Sequence, residues 1–320
     1  MKMLWIALAL IVLLLILITV LTYICFRLTF FVTKKQKQDK TIFDTPIGKI
    51  YEPYRESMEG WMKETDALPY TDYQIRSFDG LTLRGKYYEK FPGAPIEIMF
   101  HGYRGSARRD LCGGVQRCFS IGRNALVVDQ RASGQSEGSV IGFGIHESED
   151  CLAWIDFAVK ELGPDVKIML TGISMGAATV LSVADKPLPP NVVGILADCG
   201  FSSAKEIIMK VVRDIKLPPR LLYPFIHLGA RWFGKLRLNS SSPIKAVQNS
   251  KVPILFIHGD TDDFVPCDMS LAMYEACGGQ KMLLTVKGAG HGLAYPADPD
   301  GYYKTLSEFS QLCGIPFQKQ

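Results

Sequence analysis

At 320 residues, with 48% hydrophobic and 21% charged content, the chain suits one large globular domain plus an extra segment, and it is too apolar to be disordered. The formal charge is +4, yet residues 1 to 40 carry +5, leaving −1 for the other 280. A nearly neutral body offers no electrostatic case for nucleic-acid binding, and it confines any attraction to anionic lipid to the amino-terminal lysines.

The extra segment comes first. Met3 to Phe26, "MLWIALALIVLLLILITVLTYICF", contains no charge, and Leu4 to Phe26 as a helix spans roughly 34 Å against a hydrocarbon core of about 30 Å. This predicts a transmembrane anchor over 1–33. A cleaved secretory signal would have a shorter apolar region and a small-x-small site, and none precedes "FVTKKQKQDK". The bulky Tyr23 and Ile24 before Cys25 argue against lipidation at that thiol. Lys2 and the amino terminus stand against Arg27, Lys34, Lys35, Lys37 and Lys40, so the charge bias places the folded part on the cytoplasmic side. Cys112, Cys118, Cys151, Cys199, Cys267, Cys277 and Cys313 are scattered without a C-x-x-C pair, as expected of reduced, buried thiols.

Residues 34–66 read as a juxtamembrane linker followed by a packing helix. In "YEPYRESMEGWM", Tyr51, Tyr54, Met58, Trp61 and Met62 recur at helical spacing, and core packing is the expected role of such a stripe. The body follows over 67–320. "YQIRSFDGLTLRGKYYE" has two β-rich runs around Asp79-Gly80, a hairpin signal. Strand-like apolar runs then appear at 96–100, 125–129, 167–172, 192–198, 254–259 and 281–286, alternating with helical stretches such as 147–162, 267–277 and one near 300–313. That alternation predicts an α/β fold with a mostly parallel sheet and helices on both faces. Residues 201–250 are too long for a simple crossover and are broken by Pro218-Pro219 and Pro224. They are expected to form a small helical cap over the strand ends and to shape the substrate pocket.

Two stretches match G-x-S-x-G, "GQSEG" around Ser136 and "GISMG" around Ser174. Only the second lies between a strand-like run and a helix rich in small residues, "AATVLSVAD", which is the setting a strained, projecting nucleophile requires. Ser136 falls in a stretch with loop character. A serine hydroxyl needs a base to take its proton and an acid to orient that base. Of five histidines, His291 in "GAGHG" follows the last strand-like run, whereas His101 and His258 sit at strand ends, His146 begins a helix and His227 belongs to the cap. "HGDTDDFVP" offers Asp260, Asp262 and Asp263, with Asp129 and Asp198 at other strand ends as weaker candidates. The amide of Met175, next after the serine, is placed to meet an oxyanion.

The order Ser, Asp, His on this pattern of elements resembles the α/β-hydrolase superfamily over roughly residues 70 to 315. The resemblance implies a serine hydrolase of that fold. The family's H-G-x-x-D-x-x-V-P form points to Asp262 as the acid, with Asp263 the runner-up, and its H-G-x-x-G loop makes the Tyr103 amide the second oxyanion donor. "DQRASGQSEG" followed by "FGIHESEDCLAWIDF" is similar to membrane-anchored bacterial members grouped with serine aminopeptidases and acylaminoacyl peptidases, although Arg131-Ala132 stands where Arg-Gly is usual. The expected activity is hydrolysis of an ester or related acyl bond through an acyl-enzyme. The alternatives are a peptidase acting on short peptides and a scaffold that keeps the fold without chemistry. Arg104, Arg108 and Arg109, after the oxyanion loop, read as solvated helix charges. No metal or cofactor set stands out.

Overall fold

The computed structural model of the chain describes residues 1–38, 45–46, 48–240 and 242–319; Lys40 lies outside the described residues. Eight strands, β1 (Thr71–Arg76), β2 (Thr82–Tyr88), β3 (Ile96–Phe100), β4 (Asn124–Asp129), β5 (Ile168–Ile173), β6 (Val192–Asp198), β7 (Ile254–Gly259) and β8 (Lys281–Val286), form one sheet in the order β1-β2-β4-β3-β5-β6-β7-β8. The first hairpin pairs antiparallel, as does β2 with β4, and β4, β3, β5, β6, β7 and β8 run parallel. Every residue of β3 and of β7 is buried, because helices cover both faces of the sheet and leave no side for alternation. The expected mostly parallel α/β architecture is therefore present.

The helices are α1 (Lys2–Thr29), α2 (Lys34–Gln38), α3 (Arg55–Ala67), α4 (Ala107–Asp110), α5 (Cys112–Ser120), α6 (Ile145–Leu162), α7 (Met175–Leu181), α8 (Ala204–Asp214), α9 (Pro219–Phe233), α10 (Pro243–Ala246), α11 (Cys267–Ala276), α12 (Ala294–Ala297) and α13 (Pro299–Leu312). One face of the sheet packs on Trp154 of α6, Val180 of α7 and Met273 of α11. The other packs on Val115 of α5 and on Leu306 and Phe309 of α13. Across that second face Glu97 of β3 is fully buried and accepts hydrogen bonds from Arg117 (2.6 Å), Arg123 (2.7 Å) and Thr171 (2.7 Å). Burial opposes its ionisation, but the two guanidinium groups prevail and push its pKa down to about 2.

Helix α1 changes character along its length. It is apolar enough to cross a membrane, and Met3–Val20 is mostly exposed, a stretch of roughly 27 Å. From Thr22 onward it is built into the body. Cys25, Phe26 and Phe30 share one hydrophobic cluster with Phe143, Met175, Ala178, Ile207 and Ile226, and each buried phenylalanine contributes roughly 1.5–3 kcal/mol. Helix α9 runs against α1 so closely that a Cβ on Gly229 would come within 2.7 Å of the Thr22 carbonyl oxygen. Beyond the helix, Val32 N–H donates to Ser139 O (2.8 Å) and Ile141 N–H to Phe30 O (2.9 Å). The boundary expected at residue 33 thus falls inside a shared core.

Candidate active site

The sequence-predicted residues meet at the carboxyl ends of the parallel strands. Ser174 follows β5, Asp262 follows β7, His291 follows β8 and Tyr103 follows β3. Ser174 adopts φ 56° and ψ −116° at the start of α7, a costly conformation for a residue with a Cβ, and its N–H is anchored to Asp198 O at 2.8 Å. Flanking glycines are obligatory here. A Cβ on Gly172 would lie 2.1 Å from Gly176 O, and one on Gly176 would lie 1.9 Å from Phe100 O.

From this turn the Ser174 hydroxyl reaches His291 Nε2 at 2.9 Å, and His291 Nδ1 lies 2.7 Å from Asp262 Oδ2. An ionised carboxylate can only accept, so Nδ1 carries the proton and Nε2 is left to accept from the serine. Asp262 is buried, and its Oδ1 accepts from Phe264 N–H (2.9 Å) and Val265 N–H (2.8 Å). Burial opposes its charge, but hydrogen bonds from His258, His291 and Val265 outweigh burial and hold it far below the ordinary carboxylate range. The His258 contact, 3.2 Å from Nε2 to Asp262 Oδ2, is not apparent from the sequence. Nε2 also faces Val265 O at 2.8 Å, an acceptor only, which fixes the proton on that nitrogen.

The rival candidates have other partners. Asp263 contributes its carbonyl oxygen to Lys210. Asp129 accepts from Ala107 N–H and Gln135 N–H, both at 3.0 Å, bracing the loop after β3. Asp198 is buried with its Oδ1 unpaired among the described residues, and burial pushes its pKa up to about 6. Ser136 lies in a turn, where its buried hydroxyl accepts from Arg84 N–H (2.8 Å) and donates to Asp129 O, joining β2 to the end of β4. His101 bonds Gly102 O and Gln130 N–H.

Among the described residues, the amides of Tyr103 and Met175 have no hydrogen-bond acceptor, and both flank the Ser174 turn. The loop carrying Tyr103 is braced by Asp110, which accepts from Gly102 N–H (3.1 Å) and pairs with Arg109 (2.6 Å). Of the three arginines here, Arg108 and Arg109 are charges of helix α4, whereas Arg104 is not a helix charge. Arg104 has φ 52° and lies in a turn, donating to Leu28 O (3.0 Å) and Phe31 O (3.2 Å), while Arg108 pairs with Asp66. The departure at Arg131-Ala132 is explained by backbone shape. Ala132 takes φ 60°, where glycine would be unstrained, and Arg131 is held by Asp150 (2.7 Å) and Asp79 (2.9 Å).

A cavity of about 160 Å³ opens at Ser174 and His291. Its wall corrects an expectation, because none of its described lining residues comes from 201–250. Pro46, Tyr51 and Met58 of the amino-terminal segment close it, with Phe264 and Ile173. Residues 201–250 instead pack on α1 and on the helix behind Ser174. Part of the aromatic stripe thus forms the site, with Tyr51 Oη donating to His291 O at 3.1 Å, while Met62 goes to the core. A larger cavity of about 530 Å³ lies beside β2 and α4 and is bordered by Lys37, Arg84 and Asp129 rather than by the serine. Cys199, Asp262 and His291 come within 4.8 Å of one another, but this is a poor metal set. Both imidazole nitrogens and both carboxylate oxygens are engaged, and burial pushes the Cys199 thiol far up, away from the thiolate a metal needs.

This fold, with a serine at a strained strand-to-helix turn, is that of the α/β-hydrolases. Residues 143–313, over half of the chain, match the prolyl oligopeptidase family, and the chain belongs to that family. A Bacillus subtilis protein, YqkD, is 29% identical over 190 residues, which cover 59% of this chain and 62% of that one, so the match spans less than two thirds of the relative's length. The bem46 protein of Schizosaccharomyces pombe is 22% identical over 76% of this chain and 77% of its own. Among solved structures, a Pyrococcus furiosus esterase superposes with a TM-score of 0.59 at 20% identity, covering 84% of this chain and 98% of that one. A Pyrococcus horikoshii acylaminoacyl peptidase gives 0.53 at 20% identity, over 78% of this chain and 43% of its own. At such identities the likeness is one of fold.

Proposed function

We propose that the protein is a membrane-anchored hydrolase of ester or related acyl bonds, with Ser174 as nucleophile, His291 as base, Asp262 as orienting acid and the Tyr103 and Met175 amides as oxyanion donors. The carrying observation is the unbroken relay from Ser174 Oγ to His291 (2.9 Å) to Asp262 (2.7 Å) beside a cavity. Ser174 Oγ attacks the acyl carbon as His291 Nε2 takes its proton, and the oxyanion forms against the two amides. Collapse expels the alcohol, which receives that proton. Water then gives a proton to His291 and attacks the acyl-enzyme, and the acid leaves as Ser174 regains its hydrogen.

Preference for an ester over the free amino terminus of a peptide rests on the cavity's charges. Among its described lining residues the sole carboxylate besides the relay is Asp110, already committed to Arg109 and Gly102 N–H. An N-acylated peptide would need no such carboxylate, and the family match keeps that second reading open to assay. Ser174→Ala is expected to abolish both hydrolysis of short-chain p-nitrophenyl esters and labelling by a fluorophosphonate. Retained labelling would remove Ser174 from this role, and faster turnover of N-acylaminoacyl amides than of esters would favour the peptidase.

The seating of Thr22 to Val32 in the domain core supports a retained anchor over a cleaved signal, since cleavage there would strip out buried Phe26 and Phe30. Orientation is proposed from the basic residues after the apolar stretch, with the domain cytoplasmic and the amino terminus outside. Protease added to intact cells or spheroplasts should leave the domain uncut, and digestion without lysis would reverse the orientation.

A further inference from the structure

The carbonyls at the carboxyl end of a helix lack intrahelical partners, and here the partners come from the loop that carries a proposed oxyanion donor. Tyr103 Oη donates to Thr29 O at 2.7 Å, and Arg104 Nη2 donates to Leu28 O (3.0 Å) and Phe31 O (3.2 Å). Arg104 Nε closes the set on Tyr103 Oη at 2.9 Å. A cation at a helix carboxyl terminus is favoured by the helix dipole.

Three further observations tie this contact to the loop's shape. Arg104 sits at φ 52°, a conformation that persists only where surroundings over-determine it, and it directly follows the residue whose amide would meet the oxyanion. The Tyr103 ring packs on Phe143 (centroids 5.1 Å apart), which packs on Phe30 (5.6 Å) at the end of α1. Met175, the other proposed donor, lies in the same cluster as Cys25, Phe26 and Phe30. The Tyr103 side of the proposed hole therefore rests on the last turn of α1, and Met175 shares a hydrophobic cluster with that helix end.

We infer that the end of α1 is a working part of this site, and that the side chains of Tyr103 and Arg104 are positioning residues. By gripping the Leu28, Thr29 and Phe31 carbonyls they hold the Tyr103 amide where the oxyanion develops. The inference rests on the Ser174-centred reading. If Ser174→Ala turned over ester normally, that reading would fail first; if Ser174→Ala is dead, the variants below judge the inference alone.

The test uses the full chain in phospholipid nanodiscs, with kcat, KM and melting temperature measured for Tyr103→Phe, Arg104→Met and their combination. Lys37→Met is the control, because Lys37 also ties the amino-terminal segment to the body, through Ser136 O and Gly138 O, but away from the loop. A misplacement of about 1 Å costs about 100-fold, so the double variant should lose about 10- to 100-fold in kcat with KM within about twofold. Lys37→Met should lower the melting temperature while leaving kcat unchanged. Arg104→Lys, which keeps the charge but not the fork, should recover part of the loss. A double variant that melts lower yet keeps wild-type kcat would reduce the contact to a helix cap and overturn the inference. Should the double variant not fold, Tyr103→Phe decides, since it keeps the ring and removes one bond. A fall of about threefold or more in kcat supports the inference, and an unchanged kcat overturns it.

Discussion

Replacing Asp262 by asparagine changes one atom and sets two demands against each other. Oδ1 accepts from Phe264 N–H and Val265 N–H, so the amide oxygen of asparagine is held there and its NH2 must occupy the place of Oδ2. That place faces His291 Nδ1 at 2.7 Å and His258 Nε2 at 3.2 Å. The new N–H donates to His291 Nδ1, which moves the imidazole proton to Nε2, where it faces Ser174 and cannot take its hydrogen. The tautomer change costs about 10⁴ in kcat for the same exchange in a related triad, about 5.5 kcal/mol on the barrier at roughly 1.36 kcal/mol per decade. We expect that loss, with KM within about twofold, from steady-state hydrolysis of a short-chain p-nitrophenyl ester by the full chain. Asp263→Asn should stay within about threefold of wild type. The competing outcome is an asparagine that flips, keeps oxygen toward His291 and abandons the two backbone donors. It would appear as a large drop in melting temperature with a loss under about tenfold in kcat, and it would refute the reasoning.

Ser136→Ala leaves Arg84 N–H and Asp129 O without their buried partner, so stability should fall by about 1–3 kcal/mol in a denaturant melt while most turnover survives; loss of turnover equal to that of Ser174→Ala would contradict the assignment. Asp198 has a folded pKa of about 6 against an unfolded value of about 3.9, so it binds its proton more tightly in the fold. Its contribution to stability is therefore lost as pH rises from about 4 to about 6, amounting to about 3 kcal/mol by pH 7. Asp198→Asn should gain on wild type by up to that amount between pH 4.5 and pH 7.5 in denaturant midpoints, and a difference that does not grow with pH would count against it.

Local pattern made the sheet and the nucleophile legible. Continuous apolar runs such as 96–100 and 254–259 are strands because both faces are covered, and Ser174 was separable from Ser136 by the small-residue helix that follows it. His258 against Asp262, Arg104 against Leu28 and Tyr51 against His291 were not legible. The last two join residues 76 and 240 positions apart, which leave no periodic trace in the sequence. A long insertion between strands suggests a roof over the pocket, but α9 spends its buried face on α1 instead.

The cavity wall has an evolutionary consequence. Ser174, Asp262 and His291 all fall within residues 143–313, the stretch shared with the family, whereas Pro46, Tyr51 and Met58 lie well before it. On the proposed reading, bond-breaking and part of the substrate choice are thus written on separate lengths of the gene. On that reading a change at Pro46 or Met58 retunes which acyl group is accepted while leaving Ser174, His291 and Asp262 in place, so diversification among relatives should include these two positions.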